Sequence, residues 1–185
     1  MTVLSYLELE QLVHDGVIMG AQKEAINSAS IDLHLGSLLL IENQSVSQGP
    51  DNMLYLNKKS ALNVEKVDLC EAGQFVMHPG QFLLAQSVET FNLPNNISAE
   101  YKLKSSMARI GLEHMNAGWC DAGWHGSVLT LELKNITERH RIVLTAGDRI
   151  GQIVFFKHKA VPDSKSYATR GSYNMDKTVK GVKTK

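Results

Sequence analysis

At 185 residues, with 43% hydrophobic and 21% charged content, the chain is long enough to bury one core without disulfides or a metal. Nineteen basic and nineteen acidic residues cancel, so no global field recruits nucleic acid or a membrane, and an anionic ligand must be gripped by local cations. Cys70 and Cys120 form neither a C-x-x-C pair nor a disulfide framework, no apolar run approaches the ~20 residues of a spanning helix, and no signal peptide is visible, so the expected location is the cytoplasm.

Ser5-Tyr-Leu-Glu8 reads as a capping box, followed by an apolar helical face at Leu9, Leu12 and Val13 and a stop at Gly16. Residues 17–29 lack a clear period and read as a connector, completing a helical extension over 1–29. From Ser30 the pattern changes to short strands divided by turns. Ile31, Leu33 and Leu35 alternate with Asp32, His34 and Gly36, and Leu38 to Ile41 follows as a more buried run. Residues 43–60 read as a loop with a turn at Gly49-Pro50-Asp51-Asn52 and a brief strand at Leu54 to Leu56. His78-Pro79-Gly80 turns into a strand over Gln81 to Ser87, Leu93-Pro94-Asn95-Asn96 ends the next element, and Arg149 to Lys157 forms a late strand. This spacing predicts one all-β domain over 1–185, a distorted antiparallel β barrel or jelly-roll-like sandwich with a short N-terminal helix. The lack of βαβ alternation argues against a parallel nucleotide-binding sheet. From Tyr167 to Lys185 the tail is polar and lysine-rich, and is expected to be mobile without ligand.

The stretch from Lys102 to Asn135 concentrates polar groups beyond what a strand pair needs. Lys104, Ser105 and Ser106 set a cation beside two hydroxyls, an inventory suited to phosphate oxygens. Arg109 adds a planar fork of donors, or pairs with Glu113 on the same helix face. Asp121 lies between glycines and either caps that turn or serves chemistry. Glu132 falls in V-L-T-L-E-L, where alternation sets Val128, Thr130, Glu132 and Lys134 on one face and leucines on the other. A half-exposed strand with its charges in water satisfies that pattern equally well. His78, His114 and His125 lie on different elements without i,i+4 spacing, so no metal site made by protein side chains is expected. The H-x-E and P-C-x-x-C set of zinc-dependent nucleobase deaminases is absent.

K-S-S-M-A-R-I-G-L, A-G-W-C-D-A-G-W-H-G and L-T-L-E-L resemble, in order, the phosphate motif, the aspartate turn and the glutamate strand of the dCTP deaminase and dUTPase superfamily. S-I-D-L-H-L-G, H-P-G-Q-F-L-L-A and G-D-R-I-G-Q-I-V-F extend the resemblance over most of the chain. It implies a dUTPase-like fold, a homotrimer with active sites at subunit interfaces, a deoxynucleoside triphosphate substrate, and Mg²⁺ bound through that triphosphate. It further implies zinc-independent deamination of dCTP to dUTP, with Glu132 as general base and Ser105, Arg109 and the Ala117 carbonyl positioning water. Lys104, Ser106, Gln152, Tyr167 and Arg170 would contact substrate. Asp121 would orient the water that cleaves dUTP to dUMP and pyrophosphate, as in bifunctional members.

Lys104 stands where the family has arginine, the segment Arg109 to Ala117 is one residue shorter, and Gly126 to Glu132 is one longer. A one-residue slip exchanges strand faces, so a bulge must absorb it if Glu132 is to face the pocket. Tyr167 to Tyr173 resembles a shortened closing segment, and the glycine-rich arm of dUTPases is absent. Two alternatives therefore stand beside the deaminase: a dUTP diphosphatase only, and a non-catalytic nucleotide-binding regulator.

Overall fold

A computed structural model describes residues 1–43, 53–56 and 60–183. The strands β1 (Thr2–Val3), β2 (Ile18–Met19), β3 (Ile31–His34), β4 (Leu38–Glu42), β5 (Val64–Asp68), β6 (Phe75–Met77), β7 (Phe82–Asn92), β8 (Ile97–Leu103), β9 (Leu112–Glu113), β10 (Trp119–Cys120), β11 (His125–Asn135), β12 (Ile142–Leu144) and β13 (Arg149–Lys157) all pair antiparallel. Between them lie the helices α1 (Tyr6–His14), α2 (Leu69–Ala72) and α3 (Ser105–Arg109), and α4 (Tyr167–Arg170) follows β13.

One sheet runs β1-β13-β8-β10, with β3 also on β13; the other runs β5-β4-β7-β11-β9, with β2 also on β7. β6 and β12 form a separate pair. The jelly-roll-like form of the expectation holds, since these strands do not close into one barrel. Leu33, Tyr101, Ile153 and Phe155 from the first sheet and Leu39, Leu83, Leu131 and Leu133 from the second share one core.

The N-terminal helix follows its sequence signal. Glu8 reaches back to accept from the Ser5 N–H at 3.0 Å, and Leu9 and Leu12 are buried. Residues 17–29 are more ordered than a connector, because β2 adds to β7 and Lys23–Ala25 forms a 3₁₀ turn. Leu54 and Tyr55 are not a strand; the Tyr55 N–H donates to the Ser60 hydroxyl at 2.8 Å. The turn expected at residues 49–52 lies outside the described residues.

β4 has apolar residues on both faces for a reason that alternation alone leaves hidden. Leu39 and Ile41 enter the main core, whereas Leu40 joins Leu84 and Val179 in a second cluster edged by Leu38, Val64 and Phe82. Val179 belongs to the tail. The outer face of the second sheet is therefore covered by the end of the chain.

The pairing of β7 with β11 is irregular at two places. His125 faces Asn92 but Ser127 faces Phe91, so Gly126 bulges, at φ +65°. Farther along, Val128 faces Thr90 and Thr130 faces Gln86, leaving Ser87 to Glu89 opposite Leu129. The Ser87 hydroxyl accepts from the Leu129 N–H at 2.9 Å and donates to the Glu89 carbonyl at 2.7 Å, replacing the ladder bonds lost there. The segment before β10 turns on two left-handed residues, Met115 and Asn116, at φ 57° and 55°.

Candidate active site

Beyond the second bulge Glu132 pairs with Leu84, which in turn pairs with Leu40. All three side chains belong to the outer face, and Glu132 lines a pocket of about 580 Å³. β11 supplies Val128, Thr130 and Glu132; β7 supplies Phe82 and Leu84; the turn around β10 supplies Trp119, Asp121 and Trp124; the tail supplies Tyr167, Tyr173 and Asp176. Glu132 is half-buried, and loss of hydration pushes its carboxyl above the ordinary carboxylate range. Such a group holds a proton more readily than a surface glutamate, which suits one that takes and returns protons.

Asp121 is exposed on the rim. Its Oδ1 accepts from the Trp119 indole N–H at 3.0 Å, while the turn itself closes through the Asp121 carbonyl and the Trp124 N–H at 3.1 Å. The carboxylate is thus not used to cap the turn and keeps acceptor capacity toward the pocket. Trp124 is fixed by stacking on Phe91 at 5.3 Å and by donating to the Tyr173 carbonyl at 2.8 Å. Cys120 also lines the pocket but is buried, and burial pushes its thiol up to about 12.

The tail folds back along β11. The Val128 N–H donates to the Asp176 carbonyl at 2.9 Å, and the Asp176 N–H donates to the Ser127 hydroxyl at 3.1 Å. Ser127 itself donates to the Tyr173 carbonyl at 3.0 Å. Beyond these bonds Val179 is buried, and its N–H meets the Gln86 amide oxygen at 2.8 Å. Lys183 ties the end down, with Nζ 2.8 Å from the Asp176 carboxylate and over the Tyr173 ring.

A second polar cluster gathers on the first sheet. Asp32 is buried, with Oδ1 2.7 Å from Lys104 Nζ and 2.9 Å from the Asn27 amide nitrogen, and Oδ2 3.6 Å from Arg149. Gln152 pairs with Asp32 in the strand register and accepts from the Ser30 hydroxyl at 3.3 Å. Ser105 and Ser106 begin α3, just past Lys104, and are exposed. Arg109, at the other end of α3, opens onto a different groove with Gly111, Thr137, His140 and Arg141, and among the described residues it has no carboxylate partner.

Within one chain, then, Glu132, Asp121 and Tyr167 share a pocket, while Lys104 and Gln152 gather around Asp32. Ser105, Ser106, Arg109, Ala117 and Arg170 do not line that pocket, and all are exposed. Of the histidines, His114 packs edge-on to Tyr101 at 5.1 Å, and burial holds its pKa down. Sequence reasoning missed Thr130, Tyr173 and Asp176. The alternation that exposed Glu132 also contained Thr130, whereas nothing periodic marks Tyr173 or Asp176.

Residues 3–158 match the family model described as dCTP deaminase-like. A relative from Methanospirillum hungatei named "dCTP deaminase, dUMP-forming" is 39% identical over 137 residues, covering 72% of this chain and 68% of its own. One of the same name from Hydrogenobaculum is 34% identical over 161 residues, covering 87% and 82%. In fold, the chain is similar to the crystal structure of 2′-deoxycytidine 5′-triphosphate deaminase from Agrobacterium tumefaciens, with a TM-score of 0.64 and 24% identity. That match covers 88% of this chain and 50% of the other, so the chain spans half of that protein's length.

Proposed function

The chain belongs to the dCTP deaminase-like family, and from that premise we propose that it deaminates dCTP and then cleaves the resulting dUTP to dUMP and pyrophosphate. The observation that carries this reading is the placement of Glu132 and Asp121 on one pocket, a half-buried carboxyl and an exposed one. Two carboxyls in unlike surroundings suit two different steps.

In the first step Glu132 takes a proton from the water that adds at C4 of cytosine. It returns that proton to N3, then carries the proton of the new C4 hydroxyl to N4, which departs as ammonia and leaves a carbonyl at C4. In the second, Asp121 orients a water toward the α-phosphorus, and pyrophosphate leaves. Among the described residues no group of three or more His, Cys, Asp or Glu is placed to hold a metal. Mg²⁺ fits as a passenger on the triphosphate, where it neutralises phosphate charge. The missing zinc signature in the sequence supports a zinc-independent first step. Lys104 gives one donor to Asp32 and keeps two for phosphate oxygens, with Ser106, Gln152, Tyr167 and Arg170 as further contacts.

Ser105, Arg109 and the Ala117 carbonyl would help hold the C4 water, yet they lie off the Glu132 pocket of their own chain. That separation supports a homotrimer in which a neighbouring subunit completes each site. Among the described residues no helix is long and apolar enough to cross a membrane, in keeping with a cytoplasmic nucleotide enzyme.

Incubation with dCTP and, separately, dUTP, each with Mg²⁺, tests the reading by product chromatography. dUMP and pyrophosphate from both substrates is the expected result, with Glu132→Gln blocking only the dCTP route and Asp121→Asn leaving dUTP to accumulate. Cleavage of dUTP alone would identify a diphosphatase, and binding without turnover a regulator.

A further inference from the structure

We propose that Trp119 is a positioning residue for the dUTP-cleaving step: its indole N–H holds one oxygen of the Asp121 carboxylate, so that the other is presented to the attacking water. The inference rests on the reading of Asp121 given above and deepens it, by naming the group on which the orientation of that carboxylate depends. Trp119 acts through Asp121 and not on the reacting atoms.

The contact follows from β10. Alternation carried one residue past the strand sends Trp119 and Asp121 to one side and Cys120 to the other. Cys120 joins the main core, while Trp119 and Asp121 are exposed and line the Glu132 pocket. The indole is braced from the first sheet, tilted 32° against Phe156 with ring centroids 5.9 Å apart. From that position its Nε1 donates to Asp121 Oδ1 at 3.0 Å. The backbone on both sides is already held. β10 pairs with β8, Trp119 opposite Glu100 and Cys120 opposite Ala99, and the Asp121 carbonyl accepts from the Trp124 N–H at 3.1 Å. What remains free at Asp121 is rotation of the side chain itself, and the indole is placed to restrict it.

Among the described residues the indole N–H is the only group hydrogen-bonded to the Asp121 carboxylate. An exposed carboxylate without such a tie exchanges among rotamers in water. An indole nitrogen is a donor only, so it can hold Oδ1 but cannot compete with Asp121 for a proton of the water. Oδ2 keeps its lone pairs for that water. The hydrocarbon of Trp119 does not by itself account for the residue, since the side chain is 54% exposed and gains little from burial. Precise aim does account for it, because misplacing a group that orients a reactant by about 1 Å costs on the order of a hundredfold in rate.

Two variants separate the donor from the ring. Trp119→Phe keeps an aromatic ring beside Phe156 and removes the N–H. Trp119→Gln removes the ring and keeps an N–H, because the amide nitrogen of glutamine lies as many bonds from Cβ as the indole nitrogen does. Each is scored by kcat for pyrophosphate release from dUTP divided by kcat for ammonia release from dCTP, a ratio from which any inactive fraction of the protein cancels. Trp119→Phe should lower that ratio about tenfold from wild type while KM for dUTP moves by less than about twofold, since the lost bond is to a charged side chain and not to the nucleotide. Trp119→Gln should stay within about threefold of wild type. A Trp119→Phe ratio equal to that of wild type would overturn the inference. So would a Trp119→Gln ratio at or below that of Trp119→Phe, which would make ring packing the operative contact. Wild-type protein that releases ammonia from dCTP but no pyrophosphate from dUTP would bring down the reading of Asp121, and the inference with it.

Discussion

Lys104 and Asp32 stand 72 residues apart in the chain and 2.7 Å apart in space, with the Asp32 side chain only 4% exposed. The pair joins the start of α3 to β3 beneath the first sheet's polar row, and Asn27 and Arg149 complete the carboxylate's surroundings. Asp32→Ala leaves a cation without its buried partner, and we predict a loss of about 3–5 kcal/mol in urea unfolding. Lys104→Met, which removes the charge and keeps the volume, should cost stability as well and weaken triphosphate binding in calorimetry.

Glu132 should report itself through pH. Its folded carboxyl is held above the ordinary value by burial, so the native state binds the proton more tightly than the unfolded chain does. The sign follows from linkage: native stability is favoured at acid pH and falls as pH rises from the ordinary carboxylate range through the raised value. Glu132→Gln removes that slope. Thermal melts should show the variant more stable than wild type at neutral pH, with the difference closing on acidification. Over the same window, wild-type deamination should fall as pH drops and the base is protonated.

How much of this was legible in the sequence depends on the range of the interactions involved. β13 was expected over Arg149 to Lys157 and is found there, because alternation and a turn are local signals. The capping pair Ser5 and Glu8, three residues apart, was equally readable. Glu132 could be assigned to a face, but alternation alone could not tell pocket from solvent there and only the family resemblance pointed to a pocket, because the cover of that face comes from Val179 at the far end of the chain. β7 was expected to end at Ser87 and runs to Asn92, since the Ser87 hydroxyl repairs a ladder that a bulge interrupts. The grouping of Lys104 with Asp32 and Gln152 rests on pairings among β3, β8 and β13 that no local pattern encodes.

Tyr101 and Gly151 define a close approach. A Cβ at Gly151 would lie 2.0 Å from the Tyr101 ring, and the Tyr101 hydroxyl is buried with no hydrogen-bond partner among the described residues. Gly151→Ala should cost about 1–3 kcal/mol by overpacking. Combining it with Tyr101→Leu should recover part of that loss, and a double-mutant cycle measures the coupling. Tyr101→Phe removes only the unpartnered hydroxyl and should raise stability by about 1 kcal/mol.

Ser127 holds the tail through bonds in both directions, to Tyr173 and from Asp176. Ser127→Ala should lower stability by about 1–3 kcal/mol, since the groups it leaves are half-buried. The more specific signature is local. Hydrogen exchange should quicken at Val128, Asp176 and Val179 while the amides of β13 stay protected.

The tail that roofs the Glu132 face also decides how the protein can be handled. Gly181 and Val182 line the same pocket as Glu132, so bulk attached beside them would crowd it. Thr2 and Val3, by contrast, are pinned along β13 in the other sheet. Labels and surface-immobilisation handles placed away from residues 173–183 leave that pocket unobstructed.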